Sequence, residues 1–197
     1  LFEASAAGMA LTDLTSRYTA TNSAFQNMLG YTHEEFKALT AIEITHPDER
    51  ATSEAVVAEF ASSTRQEYHV DKRYMKKDGT PLWVNVTITY VPATDVMPPM
   101  LQGVVINIDD RKRAEQALRA SEERWRTVFE TSSVGIATTD QNLRVSTANS
   151  AFQRIVGYTE NELREMKWLD LTHEDDRSVT EELIGSLLEQ LTETKDI

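Results

Sequence analysis

Asn22-Ser23-Ala24-Phe25-Gln26, followed by Gly30-Tyr31-Thr32, recurs unchanged as Asn149-Ser150-Ala151-Phe152-Gln153 and Gly157-Tyr158-Thr159. At this offset of 127 the match runs without a gap from Phe2/Phe129 to Glu54/Glu181, through Glu3/Glu130, Gly8/Gly135, Asp13/Asp140 and Arg17/Arg144. Further along, Thr45-His46-x-Asp48-x-Arg50 returns as Thr172-His173-x-Asp175-x-Arg177. The 53 paired positions hold 22 identities, where roughly three are expected by chance at average residue usage. The chain is a tandem duplication. The expected organisation is a first repeat over 1–109, a connector over 110–127, and a second repeat over 128–197 that lacks the counterpart of residues 71–109, as in a piece of a longer polypeptide.

Within one repeat, Met9–Asp13 and Arg17–Thr21 read as a hairpin around Leu14-Thr15-Ser16. Asn22 then stands where a helix N-cap belongs, ahead of a short helix that Gly30 stops. Thr32-His33-Glu34-Glu35 and Thr159-Glu160-Asn161-Glu162 are capping boxes, the first opening a helix through Leu39. Thr45-His46-Pro47-Asp48-Glu49 starts a further helix, because proline at the first position gives up only an orphan amide and acids favour the positive end of the dipole. Its apolar residues Val56, Val57 and Phe60 share a face. From Gln66 the period becomes two: Tyr68, Val70 and Tyr74 alternate with charge, Lys77-Asp78-Gly79 turns the chain, and Leu82–Val91 and Leu101–Ile108 follow as strands. Two strands, a run of short helices and three strands make an α+β fold: an antiparallel sheet with helices over one face. An apolar pocket belongs between those layers. Its expected lining is Phe25, Met28, Leu29, Phe36, Ile42, Ile44, Val57, Phe60 and Tyr68, residues that equally well fill a core.

The connector from Asp110 to Phe129 holds neither glycine nor proline. Ala114, Leu118, Ser121, Trp125 and Val128 are spaced 4, 3, 4 and 3 among Arg, Lys and Glu, a heptad seam suited to a parallel homodimer or to packing on the chain's own domain.

Composition excludes several chemistries. The 197 residues include no cysteine, so disulfides, thiolate metal sites and cysteinyl–flavin adducts are out. A net charge of −12 repels phosphate backbones, which argues against nucleic acid as a partner. No apolar run approaches a membrane span, so membrane contact by this chain is not expected, and a cytoplasmic location is. His46 and His173 stand at helix starts, where capping explains them, and His69 alternates outward on its strand. His33 sits beside Glu34 in a pattern a phospho-acceptor would need, but the second repeat has Glu160 there. No catalytic constellation, glycine-rich phosphate cradle or metal-ligand spacing appears, so the chain is not expected to be an enzyme.

Tyr68-His69-Val70-Asp71-Lys72-Arg73-Tyr74-Met75-Lys76-Lys77-Asp78-Gly79-Thr80, then Trp83-Val84, then Gly103 through Glu115, resembles the second half of a PAS (Per-Arnt-Sim) sensory domain of the S-box type. Phe2-Glu3, Gly8, Asn22-Ser23-Ala24-Phe25, Gly30-Tyr31 and His46-Pro47-Asp48 resemble its first half. The resemblance implies a five-stranded antiparallel sheet with short helices on one face, a pocket for a small molecule, and a signalling helix leading to an output domain. That output is most often a histidine kinase, otherwise a diguanylate cyclase or phosphodiesterase; the alternative is a ligand-free interaction scaffold. Where the family carries Asp-Ile-Thr, this chain has Asn107-Ile108-Asp109, so Asn107, Asp109 and Asp110 are the expected coupling residues. The family's haem-binding members imply a histidine in the long helix, and Asp48–Ser62 has none. Haem is therefore disfavoured, a non-covalent flavin stays open, and the cofactor is otherwise unassigned.

Overall fold

Asn22 joins the first strand to the first helix. Its Oδ1 accepts the amides of Phe25 (2.9 Å) and Met9 (2.8 Å), and its Nδ2 donates to the carbonyls of Phe2 (3.0 Å) and Ala7 (2.9 Å). One fully buried side chain thus caps α1 (Ser23–Leu29) and fastens the segment entering β1 (Gly8–Thr12). β1 passes close to α1 because Gly8 has no side chain: a Cβ there would lie 3.1 Å from Phe25 Cδ2 and 3.2 Å from its Cα. Gly30 ends α1 at φ +81°, a left-handed conformation that an L side chain adopts only with strain.

The computed structural model describes residues 2–62 and 65–193, and the chain divides into two compact units between Ala117 and Leu118. In the first unit β1 and β2 (Tyr18–Thr21) form the hairpin, and α1, α2 (His33–Lys37) and α3 (Arg50–Ala61) follow, with a 3-10 turn at Pro47–Glu49 before α3. α2 ends at Lys37 rather than running to Leu39: the amides of Ala38 and Leu39 bond to the carbonyls of Glu35 and Phe36, a tightened last turn. β3 (Glu67–Met75), β4 (Pro81–Val91) and β5 (Met100–Asn107) complete an antiparallel sheet of order β2-β1-β5-β4-β3. The last strand returns beside the first, with Gly8 opposite Val105 and Thr12 opposite Leu101.

Residues two apart on each strand share a face, and the buried set Ala10, Tyr74, Leu82, Val84, Val86 and Val105 lies on the helix-covered side. Tyr18, Phe25, Leu29, Phe36 and Ile44 meet them. Phe25 stacks on Phe36 with centroids 4.9 Å apart, and Tyr18 meets Phe36 edge-on at 5.1 Å. A second cluster, Val56, Phe60 and Leu101, seats α3.

α4 (Asp109–Thr131) is a single 23-residue helix. Beyond it the second unit repeats the opening of the first: β6 (Ala137–Thr139), β7 (Val145–Ala148), α5 (Ser150–Val156), α6 (Glu160–Arg164), 3-10 turns at Trp168–Leu171 and Glu174–Asp176, and α7 (Arg177–Glu193). Asn149 repeats the four bonds of Asn22, to the amides of Phe152 and Ile136 and the carbonyls of Phe129 and Val134. The core here is smaller, built on Val145, Ala148 and Leu163, with Phe152 stacked on Trp168 at 5.8 Å. Ile155 is 70% exposed, whereas its counterpart Met28 packs against the first unit's core. The physical reason is that β6 and β7 form a two-stranded sheet among the described residues, without strands corresponding to β3–β5. No described helix is long and apolar enough to cross a membrane.

Candidate functional site

The sheet's inner face and the helices enclose a largely apolar cavity of about 40 Å³ in the first unit. β1 contributes Ala10 and Thr12, β2 Tyr18, α1 Phe25, α3 Val57, β3 Tyr74, β4 Val86 and Ile88, and β5 Leu101, Gly103 and Val105; Ser16 and Ala41 close it from the loops. This volume takes a water molecule or a few heavy atoms. A ring-sized ligand requires side chains to move.

Ser16 shares that wall with the hydroxyls of Thr12, Tyr18 and Tyr74. Its hydroxyl is buried without a hydrogen-bond partner, and its backbone is left-handed at φ 66°. The Asp13 carboxylate fixes that conformation by accepting the amides of Thr15 (2.8 Å) and Arg17 (3.0 Å), while the Ser16 carbonyl accepts the Ala41 amide at 2.9 Å. An orphaned buried hydroxyl costs about 1–3 kcal/mol, which any hydrogen-bonding atom placed in the cavity would recover. Tyr18 and Tyr74, on the same wall, are held protonated because burial pushes both phenols up.

α4 begins where β5, a cavity wall, ends, and its first turn is bound to the sheet. Asn107 Oδ1 accepts the Asp109 amide at 2.9 Å. Asp109 accepts the Trp83 amide at 3.4 Å and pairs with Arg113 at 2.5 Å. Asp110 is exposed at the helix start. The stronger anchor is Asp71 on β3, whose carboxylate takes Asn85 Nδ2 (2.9 Å), Arg111 Nη2 (2.9 Å) and Lys112 Nζ (3.2 Å). The Asn85 amide, followed by the two cations, holds the Asp71 carboxyl below its ordinary range. Lys112 also lies over the Trp83 ring at 5.3 Å.

Of the nine candidate lining residues, Phe25 and Val57 reach the cavity. Leu29, Phe36 and Ile44 are fully packed in the main core, and Phe60 in the cluster under α3. Met28 packs against the core from the rim, Ile42 is half-buried, and Tyr68 lines a separate cleft between α3 and β3. Asp71, Tyr74, Gly103 and Val105 fall within the stretches that carry the family resemblance, but nothing in those stretches marks them, or Asn85, as wall or root. The signal available for them is the period-two alternation of β3 to β5, which assigns each residue a face but not a neighbour. The seam residues Ala114, Leu118, Ser121, Trp125 and Val128 are all exposed on α4, and Trp125 stacks on Phe129 at 4.7 Å. His46 and His173 each accept the amide two residues on, at Asp48 and Asp175, both at 3.4 Å. No group of three or more potential metal ligands occurs among the described residues.

Comparison with known proteins covers both repeats. A family profile described as PAS fold matches residues 18–105, and one described as PAS domain matches residues 123–192. The sensor histidine kinase TmoS of Ectopseudomonas mendocina is 28% identical over 135 residues, 68% of this chain and 14% of that protein. The probable diguanylate cyclase DgcE of Escherichia coli strain K12 is 31% identical over 134 residues, again 68% of this chain and 12% of that protein. Among solved structures, a PAS domain from Desulfitobacterium hafniense aligns at TM-score 0.46 and 23% identity, covering 53% of this chain and 95% of the other. An RNA-binding light-oxygen-voltage receptor aligns at TM-score 0.50 and 17% identity, covering 62% and 35%.

Proposed function

Since this chain belongs to the PAS family, with two PAS domains in tandem, we propose that it is the sensory input and dimerising part of a bacterial signalling protein. The first unit senses, α4 carries the change, and an output domain elsewhere in the polypeptide responds. One observation carries this reading: β5, whose residues Leu101, Gly103 and Val105 wall the cavity, runs directly into α4. β3, β4 and β5 all contribute to the cavity wall, and the polar root of α4 is attached to the same three strands, at Asp71, Trp83 and Asn107. Only a difference in affinity for two packings is needed, and about 1–3 kcal/mol of coupling is usual.

The ligand that suits the cavity is small and largely apolar, with one hydrogen-bonding atom for Ser16. The output is a histidine kinase on the relative with 28% identity, and a diguanylate cyclase on the relative with 31%. The chain is not itself the catalyst on this reading, and its partners are a second copy along α4 and the attached output domain, not nucleic acid.

Absence of cysteine makes the test clean, because a single introduced cysteine is the sole labelling site. Spin labels at Glu115→Cys, one per protomer, report the separation of paired helices. A co-purified small molecule seen by mass spectrometry, whose removal and return changes that separation reversibly, is the expected result. A tightly packed, empty core with the separation unchanged under all additions leaves the scaffold reading instead.

A further inference from the structure

Tyr68, Val70, Lys72 and Tyr74 alternate on the inward face of β3, which puts one cation among apolar and aromatic residues. Lys72 is only 7% exposed. Its ammonium makes two long hydrogen bonds, 3.3 Å to Thr45 Oγ1 and 3.3 Å to Ser53 Oγ, and lies 4.9 Å from the centroid of the Tyr74 ring. None of these partners is an anion. The nearby acids are already engaged: Glu49 accepts the Arg73 amide at 2.7 Å and its Nε at 2.8 Å, and Asp71 holds Asn85, Arg111 and Lys112. Arg73 is shared by Glu49 and by Asp48 (3.1 Å), Asp71 is bound to the cations of α4, and among the described residues no carboxylate bonds the Lys72 ammonium directly.

A buried charge is tolerated when it is paired and fully hydrogen-bonded. An ammonium offers three donors, and the two hydroxyls account for two. Lys72 and Ser53 both line a cleft of about 160 Å³ between α3 and β3, flanked by Thr52, Tyr68 and Val70. The carboxylates of Glu49 and Asp71 on its walls oppose a dianion, whereas a single carboxylate can take the remaining Lys72 donor. The aromatic and aliphatic flank suits a short alkyl chain.

We propose that this cleft binds a small monocarboxylate, its carboxylate paired with Lys72 and bonded by the Ser53 hydroxyl, its alkyl chain against Tyr68 and Val70. Burial already pushes the Lys72 ammonium down to about 8, against the opposing pull of Glu49, so the cation gains from an arriving anion. This site rests on the sensory reading in that it names the class of molecule the first unit would detect.

Titration of butyrate into the full 197-residue chain, followed by backbone amide shifts, tests it. Saturable shifts at Ser53 and Lys72 are expected with butyrate and none with the uncharged isostere butyramide. Lys72→Met should weaken binding about ten-fold or more, and Ser53→Ala about five-fold. If Lys72→Met fails to fold, Ser53→Ala and butyramide still decide. Equal responses to butyrate and butyramide, the same shifts from chloride, or no saturation up to about 50 mM would overturn the site. Butyrate binding with no change in the α4 labels would leave the site standing and remove the sensory reading.

Discussion

At the residue scale, Asn22 and Lys72 show what a side chain gains and costs in the interior. Asn22 satisfies four backbone groups from a fully buried position. Asn22→Ala leaves those groups unpaired and should destabilise the first unit by about 3 kcal/mol, read as a lowered urea midpoint with unchanged slope. Lys72 imposes a pH dependence of definite sign. Its folded pKa of about 8 lies below the ordinary value of 10.5, so between these limits the unfolded chain binds more protons and stability rises with pH. Above about 10 the trend reverses, because unfolding frees the Tyr18 and Tyr74 phenols to ionise. Lys72→Met should abolish the rise, worth about 3 kcal/mol at most, and should be no less stable than the native chain at neutral pH. Urea unfolding at about pH 7 and about pH 9.5 measures both.

At the element scale, α4 has a bound root and an unpartnered flank. Asp71→Asn removes the carboxylate shared by Arg111 and Lys112 while keeping its shape. Because both pairs are partly exposed, global stability should change by less than about 1 kcal/mol. Amide exchange at Lys112 and Arg113 should nevertheless quicken, since the first turn loses its attachment to β3. Unchanged exchange there would deny Asp71 a part in coupling. Farther along, Leu118, Trp125 and Val128 are 62%, 55% and 60% exposed, the stripe a parallel twin would cover. Leu118→Glu with Trp125→Glu should convert a dimer to monomers in sedimentation while leaving the urea transition of the first unit in place. A native chain that sediments as a monomer at all concentrations would end the seam proposal.

At the scale of the whole molecule, the two units have unequal cores. The first closes a five-stranded sheet under its helices; the second, among the described residues, sets equivalent helices against two strands. Less apolar surface buried per residue means a lower free energy of local opening. Amides of β6, β7, α5 and α6 should therefore exchange faster than those of β1, β2, α1 and α2, although Asn22 and Asn149 make the same bonds. Equal protection in the isolated chain would show that the second core is stabilised by something other than its sheet.

The sequence by itself determined the duplication, the caps at Asn22, Thr32, Asn149 and Thr159, the order of strands and helices, and the helical connector. These depend on residues a few positions apart, or on a direct copy of the pattern, and such interactions are written along the chain. Fold class followed from the same order. Only the tertiary structure decided that β5 lies between β1 and β4, that the Ser16 hydroxyl is buried at the cavity with no partner, that Asp71 meets Arg111 forty residues away, and that the buried Lys72 ammonium bonds hydroxyls rather than a carboxylate. Lys72 shares the inward face of β3 with Tyr68, Val70 and Tyr74. Whether an inward charge finds a counter-charge depends on which distant elements pack over it, and that is a property of three-dimensional proximity rather than of spacing along the chain.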